Sequence, residues 1–275
     1  MGRELITASV ILAAGRGSRM KGFDGSKALL PLIPRNSSFD GDRPILLEIL
    51  HRLPSGPKAV VVHYRKEDVI RATRGLGLNY CEQLELNGTG GALLAAKEFL
   101  EAQDCQNVII TMGDVPFVRK LTYQAAIAKL EDRDLVVLGF RPESKRQYGV
   151  LQIEGAMVRK IIEWKYWSSY PEETKKAFSI CNSGIYIARR EELLRYLPVL
   201  ASRPHRVQKQ IDGRLTQVEE FFLTDIIEYM NEGGLEIGYQ VAEEEVVMGI
   251  DDIGALTRAQ EIFKSRAEPP PEQGD

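Results

Sequence analysis

Residues 10–27, VILAAGRGSRMKGFDGSK, constrain the fold of this chain more than any other stretch. An apolar run, VILAA, stops at Gly15-Arg16-Gly17, and four cations follow: Arg16, Arg19, Lys21 and Lys27. Such a run reads as a buried strand that breaks into a glycine-rich turn. Gly15 and Gly17 carry no Cβ and tolerate φ > 0, so their N–H groups can line an anion-binding concavity. Arg19 and Lys27 are then placed to neutralise a polyphosphate cradled by those amides. The stretch predicts a nucleoside-triphosphate site at the end of the first strand; a plain surface turn with solvated charges is the alternative. Two better-known phosphate loops do not fit. A P-loop closes on Gly-Lys-Ser/Thr, which is absent, and a dinucleotide fingerprint needs a third glycine where Met20 stands.

Downstream, short apolar runs alternate with helical patterns. Strands are predicted at 58–63, 78–83, 107–112 and 134–140, with helices from 44, over 67–74, after Gly91 and over 122–130. Residues 32–43, rich in turn formers, read as an exposed loop. The second half predicts strands at 148–153, 158–164, 180–188, 235–241 and 245–250. Helices are expected at 191–197, 218–230 and 252–266. Alternating strands and helices indicate a parallel sheet covered on both faces. The expectation is an α/β, Rossmann-like three-layer fold with a mostly parallel mixed central sheet. One domain spans 1–266, its first half binding nucleotide and its second half an acceptor. The proline-rich, charged residues 267–275 are expected to be a disordered tail.

Composition removes several function classes. Lys+Arg 36 against Asp+Glu 39 gives a net charge of -3, which predicts no nucleic-acid or membrane partner. Cys81, Cys105 and Cys181 form no Cys-x-x-Cys pair, and the three histidines are scattered. A reduced, cytoplasmic protein without a structural zinc is expected, and an oligomer stays open.

Ligands of open α/β sheets sit beyond the carboxyl ends of strands, and polar features cluster at such ends here. Gly88-Thr89-Gly90-Gly91 opens a helix whose amides can face an anion or a base edge. Asp114 follows the apolar strand NVIITM, and Asp251 follows VVMGI. Two carboxylates with phosphate oxygens suit Mg2+; helix capping competes for Asp114 and for Asp251 or Asp252. Gly149 reads as a close backbone approach or a bulge. Glu163, beside Trp164, Tyr166 and Trp167, is placed to accept from sugar hydroxyls or to be a solvated rim carboxylate. Asn182 and Thr224 are polar residues beside apolar runs.

Together these residues resemble the sugar-phosphate nucleotidyltransferases, closest to the pyrophosphorylase domain of N-acetylglucosamine-1-phosphate uridylyltransferases. The matching motifs are the loop from Leu12 to Met20 with Lys27, Gln83 with Gly88-Thr89-Gly90, Gly113 to Pro116, Tyr148-Gly149, Glu163, Asn182, and Leu223-Thr224-Asp225. The resemblance implies a nucleotidyltransferase fold of the GT-A-like type. It implies that Ala14, Gly15, Gly17, Gln83, Gly88 and Thr89 bind a uridine or thymidine triphosphate, with Arg19 and Lys27 clamping its phosphates. It further implies Mg2+ on Asp114 and Asp251, and a sugar-1-phosphate against Gly149, Glu163, Asn182 and Thr224. The implied reaction transfers UMP to that phosphate and releases pyrophosphate, giving an NDP-sugar. The sequence departs from the closest pattern at Phe222, where a tyrosine is usual, at Asp251 for asparagine and at Gly91 for histidine. One extra residue precedes Lys27, the aromatic segment after Glu163 is longer, and residues 1–275 contain no hexapeptide repeat. A nucleotidyltransferase with a non-sugar phosphate acceptor and a non-catalytic sensing subunit of the same fold are the alternatives.

Overall fold

The computed structural model describes residues 6–17, 19–211 and 214–267; the predicted tail lies outside them apart from Ala267. β1 (Thr7–Leu12) is buried along its whole length and packs on both faces. Ala8, Val10, Leu12 and Ala14 enter one apolar cluster, while Ile11 and Ala13 enter the other. That period-2 division, on a strand without exposed positions, makes β1 the middle of a three-layer arrangement.

The remaining strands are β2 (Pro31–Ser37), β3 (Asp40–Pro44), β4 (Lys58–Val62), β5 (Asn79–Glu82), β6 (Asn107–Met112) and β7 (Leu135–Phe140), followed by β8 (Val150–Glu154), β9 (Met157–Ile162), β10 (Cys181–Arg189), β11 (His205–Ile211), β12 (Arg214–Glu220) and β13 (Ile237–Ala242). The main sheet runs β13-β7-β10-β6-β1-β4-β5. β1 is parallel to β4 and β6, β4 to β5, and β13 to β7; β10 alone runs against its neighbours β6 and β7. The β8–β9 hairpin joins at one point, Cys181 opposite Val150. The sheet is mixed and mostly parallel, as expected. No described helix is long and apolar enough to cross a membrane.

Four local expectations fail. Residues 32–43 are a β2–β3 hairpin rather than a loop. Leu32 is buried, and Gln260 of the last helix (Ile253–Ala267) donates 2.9 Å hydrogen bonds to Pro31 O and Ser38 O, so tertiary contact overrides turn-rich composition. The helix expected over 218–230 begins at Asp225. Residues 218–220 instead pair with β11, Val207 opposite Val218, in a polar hairpin with little helical or strand periodicity to betray it. Residues 245–250 are not a strand: Glu244–Val247 forms one helical turn, and the chain then runs extended so that Ile250 N donates to Asp114 O at 3.0 Å. Gly149 precedes β8 rather than interrupting it.

Candidate active site

The carboxyl ends of β1, β4 and β6 open on the same edge of the sheet. Beyond β1 the chain turns at Gly17, whose φ of 62° is left-handed. A Cβ there would lie 3.2 Å from Lys27 Cβ, so glycine lets the loop lie directly on the lysine stem. Lys27 Nζ donates to Asp114 Oδ2 and, at 3.3 Å, to Asp251 Oδ1. Arg19 Nη1 stands 3.7 Å from Asp251 Oδ2. Burial alone would pull the Lys27 ammonium down, but the two facing carboxylates outweigh it and hold it above its ordinary value. Arg16 turns aside, 5.7 Å from the Tyr64 ring centre.

Both carboxylates are free of the capping duty that competed for them. No helix starts between Asp114 and Lys120. Asp252 caps the last helix by accepting from Ala255 N at 2.8 Å, and Asp251 is left facing Lys27. The point between Asp114 and Asp251 already holds one cation, and its hard oxygen donors suit a divalent ion such as Mg2+. No group of three or more His, Cys, Asp or Glu side chains gathers among the described residues. Such an ion would therefore complete its shell with phosphate oxygens and water.

Two cavities adjoin at Asp114. The first, about 300 Å³, is lined by Ala14, Gly15, Lys27, Gln83, Gly88, Thr89 and Asp114. The helix start at Gly88 and Thr89 that lines it is tied to a strap formed by residues 221–223. Gly90 N donates to Phe221 O at 2.8 Å, and Leu223 N donates to Thr89 Oγ1 at 3.1 Å. Gly88, with φ of 96°, permits this approach, since a Cβ would sit 2.4 Å from Phe221 O. Thr89 thus ties the two halves of the chain together.

The second cavity, about 200 Å³, shares Thr89, Met112 and Asp114 with the first and adds Gly149, Glu163, Asn182, Thr224 and Asp251. Thr224 Oγ1 donates to Glu163 Oε1 at 2.8 Å. Burial pushes the Glu163 carboxyl above its ordinary range, against the pull of that hydrogen bond. Asn182 is fixed between Tyr186 OH, to which it donates at 2.8 Å, and Gly184 N, from which it accepts at 3.1 Å. The aromatic residues after Glu163 form a short helix (Trp164–Trp167), anchored by Trp167 Nε1 donating to Tyr148 O at 2.8 Å.

Every residue singled out for these sites except Gly17 and Arg19 lines one cavity or both; those two flank Lys27 and Asp251. Sequence reasoning missed Glu220 in the first cavity and Gln147 and Tyr186 in the second. No motif marks them, because their places depend on strand pairing. Phe222 lines neither cavity; it packs between His205 and Lys165.

Residues 9–206 match the model of the MobA-like NTP transferase domain. The chain belongs to that family. Among curated relatives of this NTP transferase domain, the bifunctional protein GlmU of Ruegeria pomeroyi is 29% identical over 269 residues, covering 95% of this chain and 53% of the relative. The GlmU of Roseobacter denitrificans is 30% identical over 266 residues, with the same coverage. The chain thus spans about half the length of the curated relatives it matches. Among solved structures, a putative glucose-1-phosphate thymidylyltransferase from Bacillus anthracis superposes with a TM-score of 0.66 at 18% identity, covering 96% of both chains. The uridine diphosphate N-acetylglucosamine pyrophosphorylase of Trypanosoma brucei gives 0.70 at 13% identity, over 92% of this chain and 64% of that one. At such identities the likeness concerns the fold.

Proposed function

We propose that residues 1–266 form one sugar-1-phosphate nucleotidyltransferase domain that transfers UMP from UTP to a sugar-1-phosphate, releasing pyrophosphate and forming an NDP-sugar in the cytoplasm. The observation that carries this reading is the junction of two cavities at Asp114, with Lys27 and Asp251 beside it. A transfer between two phosphates requires a donor site and an acceptor site that share one reacting centre. The activities that name two of the solved structures, a putative glucose-1-phosphate thymidylyltransferase and a uridine diphosphate N-acetylglucosamine pyrophosphorylase, support the sugar-phosphate class.

In this reading Ala14, Gln83 and Gly88 hold the base, and the Gly15–Gly17 loop holds the triphosphate. Gly149, Glu163, Asn182 and Thr224 orient the sugar so that its phosphate faces the α-phosphorus. An acceptor oxygen forms the new bond to that phosphorus, and the bond to the β-phosphate bridging oxygen breaks, the electron pair leaving on pyrophosphate. The acceptor phosphate is already anionic at neutral pH, so no protein base has to remove a proton. Arg19 and Lys27 neutralise the charge that grows on the leaving group. Asp114 and Asp251 would hold a Mg2+ ion, which would supply further charge neutralisation.

The test is pyrophosphate release with each of the four nucleoside triphosphates against a panel of sugar-1-phosphates and non-sugar phosphates. UTP with a sugar-1-phosphate is the expected productive pair. Release only with a non-sugar phosphate would move the chain to another branch, and no release with any pair would sink the catalytic reading.

A further inference from the structure

The first turn of the helix Gly88–Ala95 contains a contact that the proposed chemistry does not use. Gln83, 4% exposed in the wall of the first cavity, donates from Nε2 to Gly88 O at 3.0 Å and to Asn87 Oδ1 at 2.9 Å. A backbone carbonyl only accepts, so the atom of the Gln83 amide that faces Gly88 has to be its nitrogen. Both amide hydrogens are then used inside the protein. The carbonyl Oε1 makes no hydrogen bond among the described residues, and it is what Gln83 has left to offer a ligand in the cavity.

Asn87 reaches Gln83 because residue 91 has no side chain. A Cβ on Gly91 would stand 1.8 Å from Asn87 Oδ1 and 3.1 Å from Gln83 Nε2. Gly91 lies inside the helix without a left-handed φ, where glycine costs roughly 1 kcal/mol relative to alanine. The backbone does not call for glycine there; the space taken by the Asn87 side chain does.

We infer that Asn87 and Gly91 together lock the Gln83 amide with its carbonyl toward the cavity, which restricts the donor nucleotide to imide bases. In uracil, thymine and guanine the ring nitrogen on the pairing edge carries a hydrogen and can donate to Oε1. In cytosine and adenine that nitrogen is an acceptor, and two lone pairs would face each other in a buried wall. Asn87 is a positioning residue, acting only through Gln83. The inference rests on the reading of the first cavity as the nucleotide site.

The test is calorimetric binding of UTP and CTP, which are alike in size, to the wild-type chain and to N87D, N87A and G91A, with steady-state turnover in parallel. The wild type is expected to bind UTP about a hundredfold more tightly than CTP, the range set by a buried polar group left unpaired. N87D keeps the accepting oxygen and should keep that ratio. N87A and G91A should each lower it about tenfold, raising KM for UTP while leaving KM for the acceptor unchanged. G91A also reports on folding: the roughly 1 kcal/mol that alanine gains in a helix is set against the displaced Asn87 side chain and its lost hydrogen bond, so Tm should change little. The lock is overturned if the wild type binds CTP as tightly as UTP, if N87A and G91A retain the ratio, or if N87D loses it as fully as N87A. Selective UTP binding without pyrophosphate release from any acceptor would sink the transfer reading and leave the lock standing. Failure to bind either nucleotide would remove both.

Discussion

Lys27 Nζ lies 3.3 Å from Asp251 Oδ1, closing a contact across 224 positions of chain, and the same ammonium donates to Asp114. One cation therefore bridges two carboxylates and offsets one of their two negative charges, with Arg19 standing 3.7 Å from Asp251. In the proposed reaction Lys27 also meets the leaving pyrophosphate. K27A should lower kcat by roughly two to three orders of magnitude, the usual loss when a donor to developing charge is removed. Pyrophosphate release at saturating substrates is the measurement, and near-normal kcat would contradict the assignment.

In the proposed reaction Lys27 and a divalent ion would compete for the same two carboxylates, which predicts an order of binding. While Lys27 spans Asp114 and Asp251, a Mg2+ ion has to displace an ammonium and finds only two protein carboxylates. The free protein should bind Mg2+ or Mn2+ weakly, and nucleotide should tighten binding at least tenfold by drawing Lys27 onto phosphate and adding oxygen ligands. Chelation of the metal should abolish turnover. The Asp114 side chain is 11% exposed against 42% for Asp251, so D114N should cost more activity and more stability than D251N. Mn2+ titration with and without UTP distinguishes these outcomes.

How far this site was legible in the sequence follows from where its information resides. β1 and β6 are mostly apolar, buried strands, and their ends are marked by Gly15 and by Asp114, so strand and site are written together. The β2–β3 and β11–β12 hairpins carry polar residues and turn formers, and their pairing depends on partners such as Gln260 that no local pattern announces. Gln147, Tyr186 and Glu220 reach the cavities through tertiary packing, and Asn87 acquires a partner only because Gly91 is empty. Motif spacing reads residues that line the cavities; it does not read the residues that aim them.

The two glycines of the loop make different demands. Gly17 has φ of 62° and stands against Lys27, whereas Gly15 has no left-handed φ and open space where a Cβ would be. G17A should cost about 1–2 kcal/mol of stability, the penalty of a left-handed alanine, and displace Lys27 enough to lower kcat. G15A should leave the unfolding midpoint unchanged. Urea denaturation of both variants checks the contrast, and equal midpoints would remove the structural distinction between them.

Glu163 links stability, pH and acceptor binding. Burial is the leading reason its carboxyl is held above the ordinary glutamate value of 4.5, with Asp225 adding to it and Thr224 and Lys165 opposing. A carboxyl raised in the folded state takes up its proton more readily folded than unfolded. This group therefore favours folding below pH 4.5 and costs stability as pH rises through the raised folded value. E163Q carries no such charge and should be more stable than the wild type at pH 8, with the difference vanishing as pH falls below 4.5. The same substitution replaces a carboxylate that can accept from two hydroxyls by an amide, so KM for the sugar-1-phosphate should rise about tenfold. KM for UTP should stay unchanged. Denaturation across pH together with the two KM values decides the matter. A variant less stable at pH 8 with an unaltered acceptor KM would mean that Glu163 supports the fold through Thr224 and does not contact the acceptor.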